Sequence, residues 1–275
     1  MASLNRAAIR RFQREIWQHY RAHGRNLPWR NTRNPYRILV SEIMLQQTQV
    51  SRVLLYYPTF LGRFPDFRAL ARAPMREVLS AWQGLGYNRR ALALKKIAEA
   101  VVLRHGGKLP KDRESLLALP GIGQSTAGAV LAFAYHIPAP FIETNIRRVF
   151  LHFFFPNGKK VGDNAIFPLV EQTADRKNLR EWYYALMDYG AMLARVAGGN
   201  PNRKSRHYKV QSKFNGSNRQ LRGKILELLI TKTSLTPLAI ARLVGESNLQ
   251  IVQVLAQLQK EGFIVKRNHS FAIGR

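Results

Sequence analysis

Apolar residues recur at intervals of three and four through most of residues 1–197, and strict alternation is scarce, so the pattern predicts helices rather than sheet. Asn5 can cap a first helix whose apolar stripe is Ile9, Phe12, Ile16 and Tyr20. After the loop GRNLPWRNTRNP, the stretch YRILVSEIMLQQTQV (residues 36–50) has the length and the apolar faces of a buried helix. Further helices are expected near 50–61, 74–83, 88–105, 112–118, 124–135, 144–154 and 179–193, with breaks at FPDF, HGGKLP and LPGIG. The fold class that follows is all-α.

The periodicity stops at residues 197–220, where glycine, proline and basic residues read as a linker. Beyond it LRGKILELLITKTS, TPLAIARLVG and NLQIVQVLAQLQKEG are three helical patterns, and FIVKRNHSFAIG is two short strands around a turn. Three helices and a hairpin are the order of a winged helix-turn-helix. The expected organisation is therefore residues 1–197, a basic linker over 198–218, and a small winged-helix-like domain over 219–275. Such domains grip DNA or dock proteins, and the pattern leaves both open.

Composition narrows the partners. The chain has 44 Lys and Arg against 16 Asp and Glu, a net charge of +28, which draws a protein to phosphate backbones by counterion release. Residues 200–275 hold 14 of those bases and 3 acids, Glu227, Glu246 and Glu261, or +11. With no cysteine, disulfides, cysteine-bound zinc and thiolate-ligated iron–sulfur clusters are excluded. No run approaches the roughly 18 apolar residues of a membrane span, and the first residues lack the apolar core of a leader peptide. A soluble intracellular monomer, cytoplasmic and nucleoid-associated if bacterial, is expected, with no membrane partner.

Three stretches carry chemistry. In LLALPGIGQSTAGAVLAFA, a helix runs into Gly121-Ile122-Gly123 and a second opens at Gln124 or Ser125. Glycines around an exposed Ile122 let the backbone turn tightly and aim amides at a phosphate from the positive end of a helix. In SEIMLQQTQV, Glu42 lies among apolar residues, where burial would keep it protonated for general-acid work. Helical spacing equally allows a solvent-facing Glu42 on a polar face with Ser41, Gln46 and Gln49. In FIETNIRR, Glu143 is a helix cap or a catalytic charge, and Arg147 and Arg148 are available to nearby phosphates.

RNLPWRNTRNPYRILVSEIMLQQTQV, WQGLGY, HGGKLP, LPGIGQSTAGAVLAFA and ETNIRRV follow one another as in the helix-hairpin-helix DNA glycosylases. The chain most resembles the MutY-type adenine glycosylases, over roughly residues 6–195 and not over 200–275. The resemblance implies an all-α helix-hairpin-helix glycosylase fold acting on double-stranded DNA with a flipped base; the winged-helix-like domain that follows is read from its own pattern and not from the resemblance. It makes Glu42 the acid that protonates the departing adenine and Glu143 the carboxylate that stabilises the sugar cation, with Asn145 holding groups around Glu42. It places Gln47 and Tyr87 in the base stack and Arg25 and Arg30 at the pocket mouth.

The sequence departs from that family in four places. Asp-Gly is replaced by Glu143-Thr144. Ser125 stands where lyase members place a lysine, which implies a monofunctional hydrolase. Ala194 stands about where a cluster cysteine would be, so no cofactor is expected, and Arg203, Lys204, Arg206 and Lys209 are either a replacement DNA-facing loop or solvated linker charges. No stretch resembles the family's separate domain that reads 8-oxoguanine, so none is expected. The expected function is removal of adenine opposite 8-oxoguanine or G. Alternatives are excision of mismatched thymine or uracil, and a DNA-binding protein impaired in catalysis.

Overall fold

A computed structural model describes residues 4–195, 199–211 and 213–274. Fourteen α-helices, two short 3-10 helices and one two-stranded hairpin account for the regular structure among these residues, so the described chain is all-α but for that hairpin. None of the described helices is long and apolar enough to cross a membrane. The described chain divides into two compact units. The first comprises residues up to 38, 111–117 and 122–210, and the second comprises 39–110, 118–121 and 211 onward.

The first unit is built on α1 (Arg6–His23), α7 (Arg113–Leu117), α8 (Gln124–Tyr135), α9 (Thr144–Phe154), α10 (Asp163–Thr173) and α11 (Leu179–Leu193). Asn5 caps α1 as its position suggests, accepting from the Ala8 amide at 2.8 Å. The stripe it starts buries Phe12 and Ile16 against α9 and α11. The Phe12 ring meets Phe150 at 5.4 Å and Trp182 at 5.9 Å. Helix α10 was not expected, because Pro168 sits inside DNAIFPLVEQT and removes an internal amide. Burial of Ile166 and Val170 outweighs that loss.

The second unit holds most of α2 (Pro35–Leu45), whose first turn belongs to the other unit, then α3 (Val50–Arg63), α4 (Phe67–Arg72), α5 (Met75–Trp82) and α6 (Arg89–His105). The helix expected over 36–50 ends at Leu45, and a turn over 46–49, in which Gln47 has φ +54°, separates it from α3. Helix α4 is a further addition, a single short piece capped by the Asp66 carboxylate on the Ala69 amide.

The C-terminal pattern forms as read: α12 (Asn218–Thr231), α13 (Pro237–Val244), α14 (Asn248–Glu261), β1 (Ile264–Arg267) and β2 (Ser270–Ile273). Ser217, Thr236 and Ser247 cap the three helices, and Gly245 and Gly262 end two of them in left-handed conformation. Strands β1 and β2 pair antiparallel, Ile264 opposite Ile273, and Leu235 bridges to Phe271. This part of the unit is bolted to α5 and α6. Arg76 donates to the carbonyls of Ile230 (2.6 Å) and Thr233 (3.2 Å), while Glu261 accepts from both Arg89 and Arg222.

The expected junction at residues 197 and 198 lies outside the described residues. The linker reading is corrected for the residues that follow. Pro201–Lys204 form a 3-10 turn against α9, Val161 bridges to Ser205, and Asn202 is buried. Side-chain amides, which composition scores as loop, serve here as packing groups.

Candidate functional site

The hairpin is formed by α7 and α8, joined through residues 118–123. Gly121 adopts φ +83°, which strains any other residue, and a Cβ there would lie 2.8 Å from that of Ala93. Gly123 precedes α8 with extended backbone, no side chain caps the helix, and its first turn holds no acid. Exposed Gly123 and Gln124 therefore leave the amide end of a twelve-residue helix open to an anion. Gln124 Oε1 accepts from Arg113 Nε at 3.0 Å, and Ser125 is half-buried. Ile122 is not exposed as expected. It is 6% accessible, an anchor that holds the loop rather than a probe of the partner.

On α2, Glu42 is half-buried between Ser41, 1% accessible, and the core residues Ile43 and Met44. The polar-face alternative loses its neighbour, since Ser41 faces the core. The turn after α2 presents exposed Gln47, and the GLGY turn presents half-buried Tyr87 at φ +48°. Both turns are held by Arg90, which the sequence did not single out. Its Nη1 donates to the carbonyls of Ile43 (3.1 Å), Met44 (2.7 Å) and Gln46 (2.6 Å). Its Nη2 donates to Thr48 Oγ1 (3.0 Å) and the carbonyls of Leu85 (3.1 Å) and Gly86 (2.9 Å). Burial brings its pKa down to about 10, so the guanidinium stays charged near neutrality.

In the first unit, Glu143 caps α9. Its Oε1 accepts from the amides of Asn145 (2.7 Å) and Ile146 (2.8 Å), and its Oε2 from Asn145 Nδ2 (3.2 Å). Burial pushes its pKa up, against the pull of those amides and of Arg148 and Arg147. Asn145 Oδ1 accepts from Arg148 Nη1 at 2.7 Å, so the sequence-predicted Glu143, Asn145 and Arg148 form one hydrogen-bonded chain.

The arginines of this stretch are not available as expected. Arg148 is buried and also donates to the Gly190 carbonyl (2.6 Å) and Asn200 Oδ1 (2.9 Å). Arg147 is forked on Asp163, with both bonds at 2.7 Å. The carboxylates and amides that bind them come from α10, α11 and residues near 200, which a local reading of FIETNIRR cannot see. The 3-10 turn completes this arrangement, since Asn202 Nδ2 donates to the Thr144 carbonyl at 3.0 Å. Asparagines tie residues 200–204 to α9.

Arg25 and Arg30 converge on Asp188 of α11, 4% accessible, a residue the sequence reading passed over. Asp188 Oδ1 accepts from Arg25 Nε (2.7 Å) and Arg30 Nη2 (2.7 Å), and Oδ2 from the Arg25 amide (2.9 Å) and Arg30 Nη1 (2.8 Å). Burial would raise the carboxyl pKa, yet the bonds to Arg30 and Arg25 hold it below the usual range. The signal for it was a lone acid in YYALMDYGAML, the otherwise apolar run that makes up most of this helix. A cavity of about 310 Å3 opens beside this triad, lined in part by Arg25, Arg30 and Tyr184. The structure thus groups Glu143, Asn145 and Arg148 together, Arg25 and Arg30 together, and, in the other unit, Glu42 with the two turns bearing Gln47 and Tyr87.

The family model for HhH-GPD superfamily base excision DNA repair proteins matches residues 40–166. An adenine DNA glycosylase of Buchnera aphidicola subsp. Baizongia pistaciae is 36% identical over 184 residues, 66% of this chain and 52% of that protein. One from Mycolicibacterium smegmatis is 35% identical over 83% of each chain. A solved thermostable thymine-DNA glycosylase superposes with a TM-score of 0.63 at 28% identity, covering 70% of this chain and 90% of its own. The chain spans about half the length of the Buchnera relatives it matches. With the hairpin in place and a third of the residues shared across most of the Mycolicibacterium protein, the chain belongs to the HhH-GPD superfamily of base excision DNA repair proteins.

Proposed function

We propose that this protein is a monofunctional DNA glycosylase that hydrolyses the N-glycosidic bond of adenine mispaired with 8-oxoguanine or G. The observation that carries the reading is the Glu143 turn: a half-buried carboxylate held in one orientation by the amides of Asn145 and Ile146 and by the Asn145 side chain, which Arg148 fixes in turn. Such a group counters a sugar oxocarbenium ion, and its partial burial weakens screening by water. Glu42, half-buried on α2, is the complementary acid. It gives its proton to a ring nitrogen of the extruded adenine as the C1′–N bond breaks, then takes one from the water that attacks C1′. Ser125 offers no amine for a Schiff base, so the product is an intact abasic strand. Apart from the attacking water, every group invoked belongs to this chain, and the proposed reaction draws on no cofactor.

The open amide end of α8 suits a DNA phosphate, and Gln47 and Tyr87 on their left-handed turns suit the gap left by a flipped nucleotide. The relatives named adenine DNA glycosylase support the choice of base. The likeness to a thymine-DNA glycosylase favours mismatched thymine or uracil as the second reading. Duplexes carrying A opposite 8-oxoguanine or G, or T and U opposite G, separate the two when treated with enzyme and then alkali. Cleavage at A supports the proposal, and cleavage confined to T or U replaces it with the second reading.

A further inference from the structure

The second unit contains a cleft of about 1200 Å3, and the function proposed above uses only the two turns on one side of it. The turns carrying Gln47 and Tyr87 line one part, and Gln211, Phe214, Arg219 and Gln220 line another. Tyr87 and Phe214 share a guanidinium: Arg219 lies 5.2 Å from the Tyr87 ring and 5.5 Å from that of Phe214. Arg90 lies 5.4 Å from the Tyr87 ring, so rings and guanidiniums alternate along the cleft. The Tyr87 hydroxyl accepts from both Gln211 and Arg219. The series ends at Phe214, which stands 54% exposed in the polar loop KFNGSN.

Alternating rings and guanidiniums form a platform for a flat ring, and carboxamides present the donors and acceptors that pair with base edges. The surrounding charge is positive, with Arg52, Arg219 and Lys224 against Glu227 among the lining residues. Pockets for a single small molecule run to about 300–1000 Å3, so a space of 1200 Å3 accepts a base together with its backbone. We propose that this cleft is a second nucleobase site, in which the C-terminal segment closes through Gln211, Phe214 and Arg219 on an unstacked base of bound DNA other than the one excised. The proposal rests on the glycosylase reading only for the identity of the polymer.

The test uses the full chain and duplexes with a tetrahydrofuran abasic analogue opposite either a normal base, 8-oxoguanine or a second tetrahydrofuran, with affinity read by fluorescence anisotropy at fixed salt. Wild type binds at least one base-bearing duplex about tenfold more tightly than the baseless one, the scale of one base–aromatic stack. Phe214→Ala removes that difference without weakening the baseless complex, and Phe214→Trp keeps it. Equal affinity of wild type for all duplexes overturns the proposal, and so does an equal loss on every duplex in Phe214→Ala. Because excision is measured separately, a base-dependent affinity with no excision anywhere removes the glycosylase reading and leaves the site. Excision without base-dependent affinity does the reverse.

Discussion

Replacing Gly190 by alanine tests how tightly the Glu143 turn is held. A Cβ at this position of α11 would lie 2.3 Å from the carbonyl oxygen of Asn145 and 2.7 Å from its carbonyl carbon. Ordinary contact begins at 3.4 Å, so α9 and α11 must part locally by about 1 Å. Alanine gains about 1 kcal/mol of helix propensity over glycine, while overpacking costs about 1–3 kcal/mol, so the net loss of stability is only about 0–2 kcal/mol. Activity is expected to suffer more. The shift falls on Asn145, whose amide and side chain both orient Glu143, and on the Gly190 carbonyl that anchors Arg148. A displacement of about 1 Å near reacting groups costs on the order of a hundredfold in rate. Single-turnover excision and a thermal melt of Gly190→Ala measure the two effects, with Gly62→Ala as control, since its added methyl meets nothing within 4 Å beyond its chain neighbours and its own helix backbone. If Gly190→Ala excises at the wild-type rate, the turn is not positioned by this contact and the reasoning is wrong.

Excision needs Glu143 ionised, and burial raises its pKa, so the acid limb of the single-turnover rate falls away above the ordinary carboxylate range near pH 4.3; a rate constant down to that pH contradicts the assignment. The same raised pKa means that ionised Glu143 opposes folding, most fully above its folded pKa and progressively less as pH falls through that value. Glu143→Gln is therefore expected to melt no lower than wild type at neutral pH while losing excision, and a markedly lower melting point would deny that the charge is held at a cost. Asp188→Asn leaves Arg25 and Arg30 without their carboxylate and is expected to cost about 3–5 kcal/mol by chemical denaturation; a loss below 1 kcal/mol would show that the triad is solvated. Asn202→Ala strands the Thr144 carbonyl and is expected to cost about 1–3 kcal/mol and to slow excision, whereas an unchanged melt and rate would return this segment to the status of a linker.

Hydrophobic period located α1, α9 and the three C-terminal helices, because each buries one face and is capped by a neighbouring side chain, whereas α8 and α11 are buried nearly all round and were legible as long apolar runs. It ran α2 on to residue 50 because Gln46–Gln49 contains no breaker. That helix ends where Arg90, more than forty residues away, takes the carbonyls of Ile43, Met44 and Gln46 and Gln47 turns left-handed. Glu143 was legible as a cap, and the structure makes it one. Its partners were not, since Gly190, Asn200 and Asn202 act through tertiary contacts. Asp188 was passed over for the same reason, an acid whose two arginines lie in the loop after α1. Arg147 and Arg148 look free in sequence because pairing with Asp163 and Asn200 leaves no local trace.

The most direct measurement places an adenine opposite 8-oxoguanine in a labelled duplex and compares wild type with Glu42→Gln, with binding followed in parallel. The expected result is a strand break at the adenine that appears only after alkali with wild type, and no break but retained binding with Glu42→Gln. A wild-type protein that binds this duplex and the corresponding A opposite G, yet leaves no alkali-labile site in either, would contradict the account.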